Sequence, residues 1–129
     1  MKLINDTKDF LNSLSLDGEL SLPIKNFQID SRKVKKNSVF FGLTGSNHDG
    51  SIFASDAIKK GASLAIVKKK KNFSPISNSS KIIEVKSPEK CLIEAAKIAM
   101  ERYGGNIIGV TGSNGKTTTK NILNNCISN

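Results

Sequence analysis

The sequence has 129 residues, the length of about one domain, and its 37% hydrophobic and 24% charged residues indicate a soluble globular protein rather than a disordered one. The net charge is +9, but nearly all the positive residues are lysines and only 5% of residues are aromatic, so we favour a solvated basic surface over specific nucleic-acid binding. No apolar run approaches the roughly 18 residues of a membrane span, and no secretory signal opens the sequence. The two cysteines form no disulfide framework. We therefore expect a cytoplasmic protein without membrane attachment.

The first half of the chain predicts two helices and two strands. Residues 6–14 form the first helix, because an aspartate can cap it and apolar residues recur at helical spacing. Alternation over residues 27–29 predicts a short strand, and the apolar run at 38–43 is typical of a buried strand. A polar loop at 44–50 then leads into a helix at 51–60.

The middle of the chain continues the alternation of strands and helices. Gly61 lies where a glycine commonly ends a helix, and a strand follows at 63–67. A polar loop at 68–80 leads to a strand at 81–85. Because strand, helix and strand succeed one another at these distances, we expect a sheet that is at least partly parallel. A Ser-Pro-Glu sequence then begins a helix over residues 87–102.

The last part of the chain predicts a buried strand at 106–110, a glycine-rich turn, and a helix at 116–127. These elements are the beginning of a nucleotide-binding α/β domain, whose sheet needs further parallel strands. We therefore predict an α/β protein with an N-terminal domain at residues 1–86 and the start of a second, truncated domain at 87–129. We expect this truncated part to be poorly stable, because its apolar faces lack partners.

The glycine-rich turn between that strand and helix has the sequence pattern of a phosphate-binding loop. Its glycines allow close approach of the backbone, and its N–H groups and the helix N-terminus attract phosphate. A lysine in this position reaches phosphate oxygens, and a following threonine joins the coordination sphere of Mg²⁺. The loop is shorter than the common Walker A pattern, and the alternative is a turn with an incidental Lys-Thr pair. Its residues are Gly112, Ser113, Asn114, Gly115, Lys116, Thr117 and Thr118.

A second group of candidate residues follows the two predicted strands of the first half of the chain. Ser31 and Arg32 come after the first strand, and Asn47, His48 and Asp49 come after the second. Ligands of α/β proteins collect beyond the carboxyl ends of strands, and these side chains offer hydrogen bonds to carbonyl or phosphate oxygens. From the residues alone we favour a structural interpretation, in which the first group forms a turn and Asp49 caps the next helix.

The two cysteines are interpreted as structural. Cys91 lies on the apolar side of its predicted helix, with no histidine partner identifiable in the sequence. A buried thiol is therefore favoured over a nucleophile. Cys126 is interpreted in the same way.

Three linked motifs stand out in the sequence: DSRKV from Asp30, VFFGLTGSNHDG from Val39, and GVTGSNGKTTTK from Gly109. Together they resemble the Mur ligases, which are cytoplasmic ATP-dependent enzymes that add amino acids or a dipeptide to the UDP-linked muramoyl precursor of peptidoglycan. The resemblance covers residues 27–123 in the right order. It implies a small N-terminal substrate domain followed by the first strand, P-loop and helix of a truncated central ATPase domain.

Within the family, Ser113 and Lys120 make the loop most similar to the MurF group, which adds D-alanyl-D-alanine to UDP-MurNAc-tripeptide. The alternative is the MurE group, which adds the third amino acid to UDP-MurNAc-dipeptide. The resemblance implies that residues 112–118 bind ATP, that Lys116 stabilises the transferred phosphoryl group, and that Thr117 binds Mg²⁺. It places Ser31, Arg32 and the Asn47-His48-Asp49 loop near the UDP part of the substrate.

The reaction implied by the resemblance passes through an acyl phosphate, which the incoming amine attacks. The later metal-binding acid, a lysine and the C-terminal domain of the family are missing from the 129 residues. We therefore expect this chain to be inactive on its own, and the full-length protein to be a monomeric ligase. The alternatives from other classes are a non-catalytic module that binds a nucleotide or UDP-sugar, and a basic nucleic-acid-binding protein.

Overall fold

A four-stranded parallel sheet forms the centre of the protein, as seen in a computed structural model that describes residues 6–70 and 80–127. The strands lie in the order β1-β2-β3-β4, so that each is hydrogen bonded to the next one in sequence. The predicted α/β fold with a parallel sheet is therefore confirmed. The strand bounds are β1 (Asn26–Gln28), β2 (Ser38–Gly42), β3 (Leu64–Lys68) and β4 (Ile82–Val85).

Four helices surround the sheet or follow it. The predicted helix at 51–60 is divided into a 3₁₀ turn and a shorter α-helix, and the Asp49 carboxylate caps the 3₁₀ turn by accepting a hydrogen bond from the Ser51 N–H. Gly61 follows the end of this helix with φ +100°, which confirms its predicted role. The helix bounds are α1 (Thr7–Ser13), the 3₁₀ turn (Gly50–Phe53), α2 (Ala54–Lys59), α3 (Pro88–Arg102) and α4 (Lys116–Ile127).

The core lies on both faces of the sheet, because successive residues of a strand point to opposite sides. Neighbouring residues such as Phe40 and Phe41 are both buried, yet they belong to different apolar clusters. One cluster joins the sheet to α1 and α3, with Phe10, Leu11, Val39, Phe41, Leu64, Ile66 and Val85 as its buried members. The other joins the sheet to α2, with Val34, Phe40, Ala54, Ala57, Ala62, Ala65 and Val67.

Only the first half of α3 packs against the sheet. Ser87 caps this helix by accepting a hydrogen bond from the Lys90 N–H, at 3.3 Å. Cys91, Leu92 and Ala95 then pack against the first apolar cluster. In the second half of the helix, the apolar residues Ala96, Ala99 and Met100 are exposed.

The two cysteines differ in burial. Cys91 is half-buried, and this burial raises the pKa of its thiol, which is consistent with a structural role. Cys126 is exposed on α4. The prediction that it is a buried residue like Cys91 is therefore wrong, since no residue of α4 is buried.

The predicted buried strand at 106–110 is not formed in this structure. Its residues pair with no strand among the described residues, and Ile107 and Ile108 are 52% and 61% exposed. A parallel strand requires neighbours that satisfy its backbone groups, and the four-stranded sheet does not extend to this segment.

Most of the polar loop predicted at 68–80 lies outside the described residues. Among the helices of residues 6–70 and 80–127, none combines the length and the apolar character that a bilayer crossing requires.

Candidate functional site

The phosphate loop, residues 112–118, forms a turn that enters the N-terminus of α4. Gly112 has φ +148° and Gly115 has φ +76°, both in the region that favours glycine. No heavy atom lies within 4 Å of the Cβ position at Gly115, so its backbone angle rather than a lack of space selects glycine there. The first helical hydrogen bond joins the Thr119 N–H to the Gly115 carbonyl oxygen, at 2.9 Å.

Lys116 and Thr117 lie in the first turn of α4 and border an open cleft of about 280 Å³, together with Lys120 and Val110. The cleft therefore combines two ammonium groups, a hydroxyl group and a helix N-terminus, all of which favour an anion. This donor set fits the phosphates of a nucleotide and one hydroxyl ligand to Mg²⁺. The other ligands of such an ion would have to come from phosphate and water or from further residues.

The strand-end cleft is a second concavity, of about 680 Å³, at the carboxyl ends of β1 and β2. Three of the predicted substrate residues, Ser31, Arg32 and His48, lie together in its wall, whereas Asn47 and Asp49 are not among its lining residues. Asp30, Gly45 and Gly50 also line this cleft. Four apolar side chains complete the wall, and the sequence interpretation did not include them in the site. These are Ile29, Phe40, Leu43 and Phe53.

Arg32 forms a two-pronged ion pair with Asp30. Its Nε and Nη2 atoms donate to the two carboxylate oxygens of Asp30 at 2.9 and 2.8 Å, and its backbone N–H also donates to Asp30 at 3.0 Å. These contacts lower the pKa of Asp30 to about 2. The side chain of Arg32 is 86% exposed, so the guanidinium can exchange this carboxylate for another anion at small cost.

Asp49 is held by two partners within the protein. Its Oδ1 accepts a hydrogen bond from the Ser51 N–H at 2.9 Å, and its Oδ2 lies 2.6 Å from Lys70 Nζ. Lys70 is the main cause of the lowered pKa of Asp49, which falls to about 2. The structural interpretation of Asp49 as the cap of the following helix is therefore confirmed.

The loop between β2 and the 3₁₀ turn is a narrow hairpin. A bridge joins Thr44 to Asp49, and the Gly45 N–H donates to the His48 carbonyl oxygen at 2.9 Å. Glu89, at the beginning of α3, accepts a hydrogen bond from the Thr44 N–H at 3.1 Å. This contact is the main cause of the lowered pKa of Glu89.

Sequence reasoning did not identify Lys70 or Glu89 as residues that shape this loop. Each is separated in sequence from the residue it contacts, and Glu89 lies 45 positions beyond Thr44. The only signal in the sequence was the position of Glu89 in the first turn of a helix, which is a common place for an acid.

Comparison with known proteins agrees with this geometry. Residues 23–103 match the Mur ligase family, catalytic domain. A UDP-N-acetylmuramoyl-L-alanyl-D-glutamate–2,6-diaminopimelate ligase of Clostridioides difficile (strain 630) is 40% identical over 129 residues, which cover 96% of this chain and 25% of the relative. The ligase of the same name from Rickettsia montanensis is 41% identical over 95 residues, which cover 74% of this chain and 19% of the relative.

Solved structures give the same result for the fold. The MurF ligase of Thermotoga maritima in complex with ADP has a TM-score of 0.63 and 36% identity, over 78% of this chain and 22% of that one. A crystal structure of MurF from Acinetobacter baumannii has a TM-score of 0.76 over 95% of this chain and 27% of that one, at 23% identity, and so supports the fold alone.

A parallel sheet with a cleft at its strand ends, followed by a glycine-rich turn and a helix, is typical of α/β proteins that bind phosphorylated ligands. With the match over residues 23–103, this chain belongs to the Mur ligase family. The chain spans about a quarter of the length of the relatives that it matches.

Proposed function

We propose that this chain is part of an ATP-dependent ligase that adds 2,6-diaminopimelate to UDP-N-acetylmuramoyl-L-alanyl-D-glutamate in the synthesis of the peptidoglycan precursor. The observation that carries this choice is the 40% identity, over 96% of the chain, to a ligase with this name. The sequence motifs favoured the MurF activity, and the identity to these relatives instead favours the alternative, the MurE activity.

The MurF activity, addition of D-alanyl-D-alanine to the tripeptide, is the second candidate. The Thermotoga maritima MurF structure is 36% identical to this chain. This identity is lower than that of the diaminopimelate ligases, and it extends over 78% of the chain. Ser113 in the phosphate loop and Lys120 in α4 are the local features that favour this candidate.

The phosphate loop is proposed to bind ATP. Gly112, Ser113, Asn114, Gly115 and Thr118 supply backbone around the phosphates. Lys116 neutralises charge on the phosphoryl oxygens, which stabilises the transfer of the phosphoryl group to the substrate carboxylate, and the Thr117 hydroxyl is a ligand of Mg²⁺. Phosphorylation gives the carboxylate a leaving group that the incoming amine displaces.

The strand-end cleft is proposed to bind the UDP part of the precursor. Its apolar wall suits the face of a base, while Ser31, Arg32 and His48 can donate hydrogen bonds to carbonyl and phosphate oxygens. Asn47 is proposed to reach the substrate from the tip of the hairpin. Asp49 contributes by holding the hairpin, through its bonds to Ser51 and Lys70, rather than through an unpaired carboxylate.

The division into domains at 1–86 and 87–129 is also a proposal. The first half of α3 packs against the sheet of residues 1–86, although this division assigns the helix to the second domain, so the boundary needs a direct test. Brief digestion of the protein with a protease of broad specificity tests it. Early cleavage near residue 86 supports this boundary, and early cleavage at the glycines 104–105 moves it beyond α3.

A paired assay on the full-length protein tests the proposed activity. With ATP and Mg²⁺, the protein is given either UDP-MurNAc-dipeptide and diaminopimelate or UDP-MurNAc-tripeptide and D-alanyl-D-alanine, and the release of phosphate and the mass of the product are measured. Turnover of the first pair alone supports the proposal. Turnover of the second pair alone establishes the MurF activity instead. If neither substrate pair leads to release of phosphate, both candidate activities are refuted.

A further inference from the structure

Glu89 links α3 to the hairpin at the strand-end cleft. Its Oε1 accepts a hydrogen bond from the backbone N–H of Thr44 at 3.1 Å, and its Oε2 accepts one from the Ser87 hydroxyl at 2.8 Å. Both carboxylate oxygens of Glu89 are therefore held by hydrogen bonds within the protein. Since the Thr44 N–H belongs to the first residue after β2 and Leu43, this bond fixes the direction in which the chain leaves the sheet.

Backbone contacts link the Thr44 end of the hairpin to His48. The two strands of the hairpin are joined by the bridge between Thr44 and Asp49 and by the bond from the Gly45 N–H to the His48 carbonyl oxygen. The Asp49 side of the hairpin is held by the ion pair of Asp49 with Lys70. The Thr44 side is held by the hydrogen bond to Glu89. A displacement of Thr44 would therefore move His48 in the wall of the cleft.

The helix itself does not need this contact to begin. Ser87 already caps α3 through the Lys90 N–H, and Pro88 occupies its first position. An acid in the first turn also stabilises a helix by its charge alone, without a bond to another part of the chain. The bond to Thr44 is thus an additional property of the Glu89 side chain, and its lowered pKa is consistent with a carboxylate that holds this bond in its charged form.

We propose that Glu89 is a positioning residue for the precursor, which holds the Thr44 end of the hairpin so that His48 faces the strand-end cleft. This inference rests on the proposed function, because it takes the UDP part of the precursor as the occupant of that cleft.

Two substitutions separate the positioning role from the effect of charge on the helix. E89D keeps the negative charge in the first turn of α3, but its shorter side chain does not reach the Thr44 N–H. E89Q removes the charge, but its amide oxygen still accepts that hydrogen bond. E94D is the matched control, because Glu94 lies on the same helix and its bond at 2.7 Å is to Lys97, on the exposed surface.

In the full-length protein, E89D is expected to raise the KM for the UDP-MurNAc-peptide about tenfold, as for the loss of one hydrogen bond to a charged group. Its KM for ATP and its kcat remain those of the wild type. E89Q and E94D retain the wild-type KM for the precursor. Hydrogen exchange of the Thr44 amide, followed by NMR, is faster in E89D than in E89Q.

Several results would overturn the inference. An active wild-type protein whose E89D variant has a normal KM and normal exchange at Thr44 refutes the positioning role but leaves the proposed function intact. Equal effects of E89D and E89Q on the KM refute it as well, because E89Q still accepts the hydrogen bond from the Thr44 N–H and should retain the wild-type KM. A wild-type protein that turns over neither precursor refutes the proposed function and this inference together.

Discussion

Asp49 and Lys70 join two loops at the carboxyl end of the sheet, with 2.6 Å between the carboxylate Oδ2 and the ammonium Nζ. Lys70 follows β3, and Asp49 precedes the 3₁₀ turn after β2. The same carboxylate also accepts a hydrogen bond from Ser51. One side chain thus caps a helical segment and links the loops that follow the neighbouring strands β2 and β3.

Replacing Asp49 is expected to lower the free energy of unfolding. D49A removes both the cap and the ion pair and costs about 1–2 kcal/mol. D49N costs less, because the amide oxygen still accepts from Ser51. D56A is the control, since Asp56 forms an exposed pair with Lys59 at 3.8 Å, and its effect stays within about 0.5 kcal/mol. Urea unfolding measures all three, and equal values for D49A and D56A would contradict the assigned role.

The same carboxylate makes stability depend on pH. The pKa of Asp49 is lowered from 3.8 to about 2 in the folded protein, so the unfolded chain binds its proton more tightly. Its contribution, about 1 kcal/mol after screening by solvent, is fully present above pH 4 and is lost as the pH falls from about 4 to about 2. The stability curve of D49N should lack this component. Parallel acid curves for D49N and the wild type would show that the carboxylate contributes nothing.

Lys116 is expected to control nucleotide affinity without affecting the other cleft. In the full-length protein, K116A removes the ammonium group at the start of α4 and weakens ATP binding about tenfold or more, because a charge-assisted contact to phosphate is lost. Binding of the UDP-linked precursor is unchanged. K97A is the control, since Lys97 pairs with Glu94 on the exposed side of α3. Calorimetric titration measures both ligands, and unchanged ATP affinity in K116A would place the nucleotide elsewhere.

Local patterns in the sequence were sufficient to predict most elements of the fold. The apolar runs that became β2 and β3 are long enough to identify buried parallel strands, and Asp6 and Ser87 both cap helices as their positions predict. In each case the residues that decide the structure are neighbours in the sequence. The glycines of the phosphate loop are also a local feature, because the turn itself requires their positive φ angles.

Features that depend on distant residues could not be predicted in this way. The sequence predicts that Ile107 and Ile108 are buried in a strand, but an apolar run forms a strand only where a neighbouring strand is present to pair with it. The partners of Asp49 and Thr44 are likewise provided by other parts of the fold. The sequence therefore predicted residues that lie at the strand-end cleft, but it did not predict the contacts that hold the hairpin beside that cleft.

The effect of a substitution in the exposed segment at 106–110 is expected to depend on the length of the protein. In the 129-residue chain, I108K is expected to change the melting temperature little, because Ile108 is 61% exposed. In a protein of the relatives' length we expect this segment to be a buried strand, so that the same substitution buries a charge and unfolds the domain. I93K, at a residue of α3 that is 55% exposed, is the control for both proteins. Equal melting shifts in the long and short chains would refute a buried strand.

Gly50 is expected to tolerate no side chain, because the hairpin returns to the sheet directly beside β2. A Cβ atom at Gly50 would lie 2.6 Å from the Leu43 carbonyl oxygen and 2.9 Å from the carbonyl carbon of Gly42. Both neighbours are backbone atoms, so G50A must displace the hairpin and lower the free energy of unfolding by about 1–3 kcal/mol.

G104A provides the matched comparison for this steric argument, because no heavy atom lies within 4 Å of a Cβ at Gly104. It is expected to leave the free energy of unfolding within about 0.5 kcal/mol of the wild type. In the full-length protein, G50A should also weaken binding of the UDP-linked precursor, since the displaced hairpin carries His48, while ATP affinity is retained. Urea unfolding and precursor titration measure the two effects. A G50A protein as stable as G104A would show that the close approach of Gly50 to β2 is absent in solution.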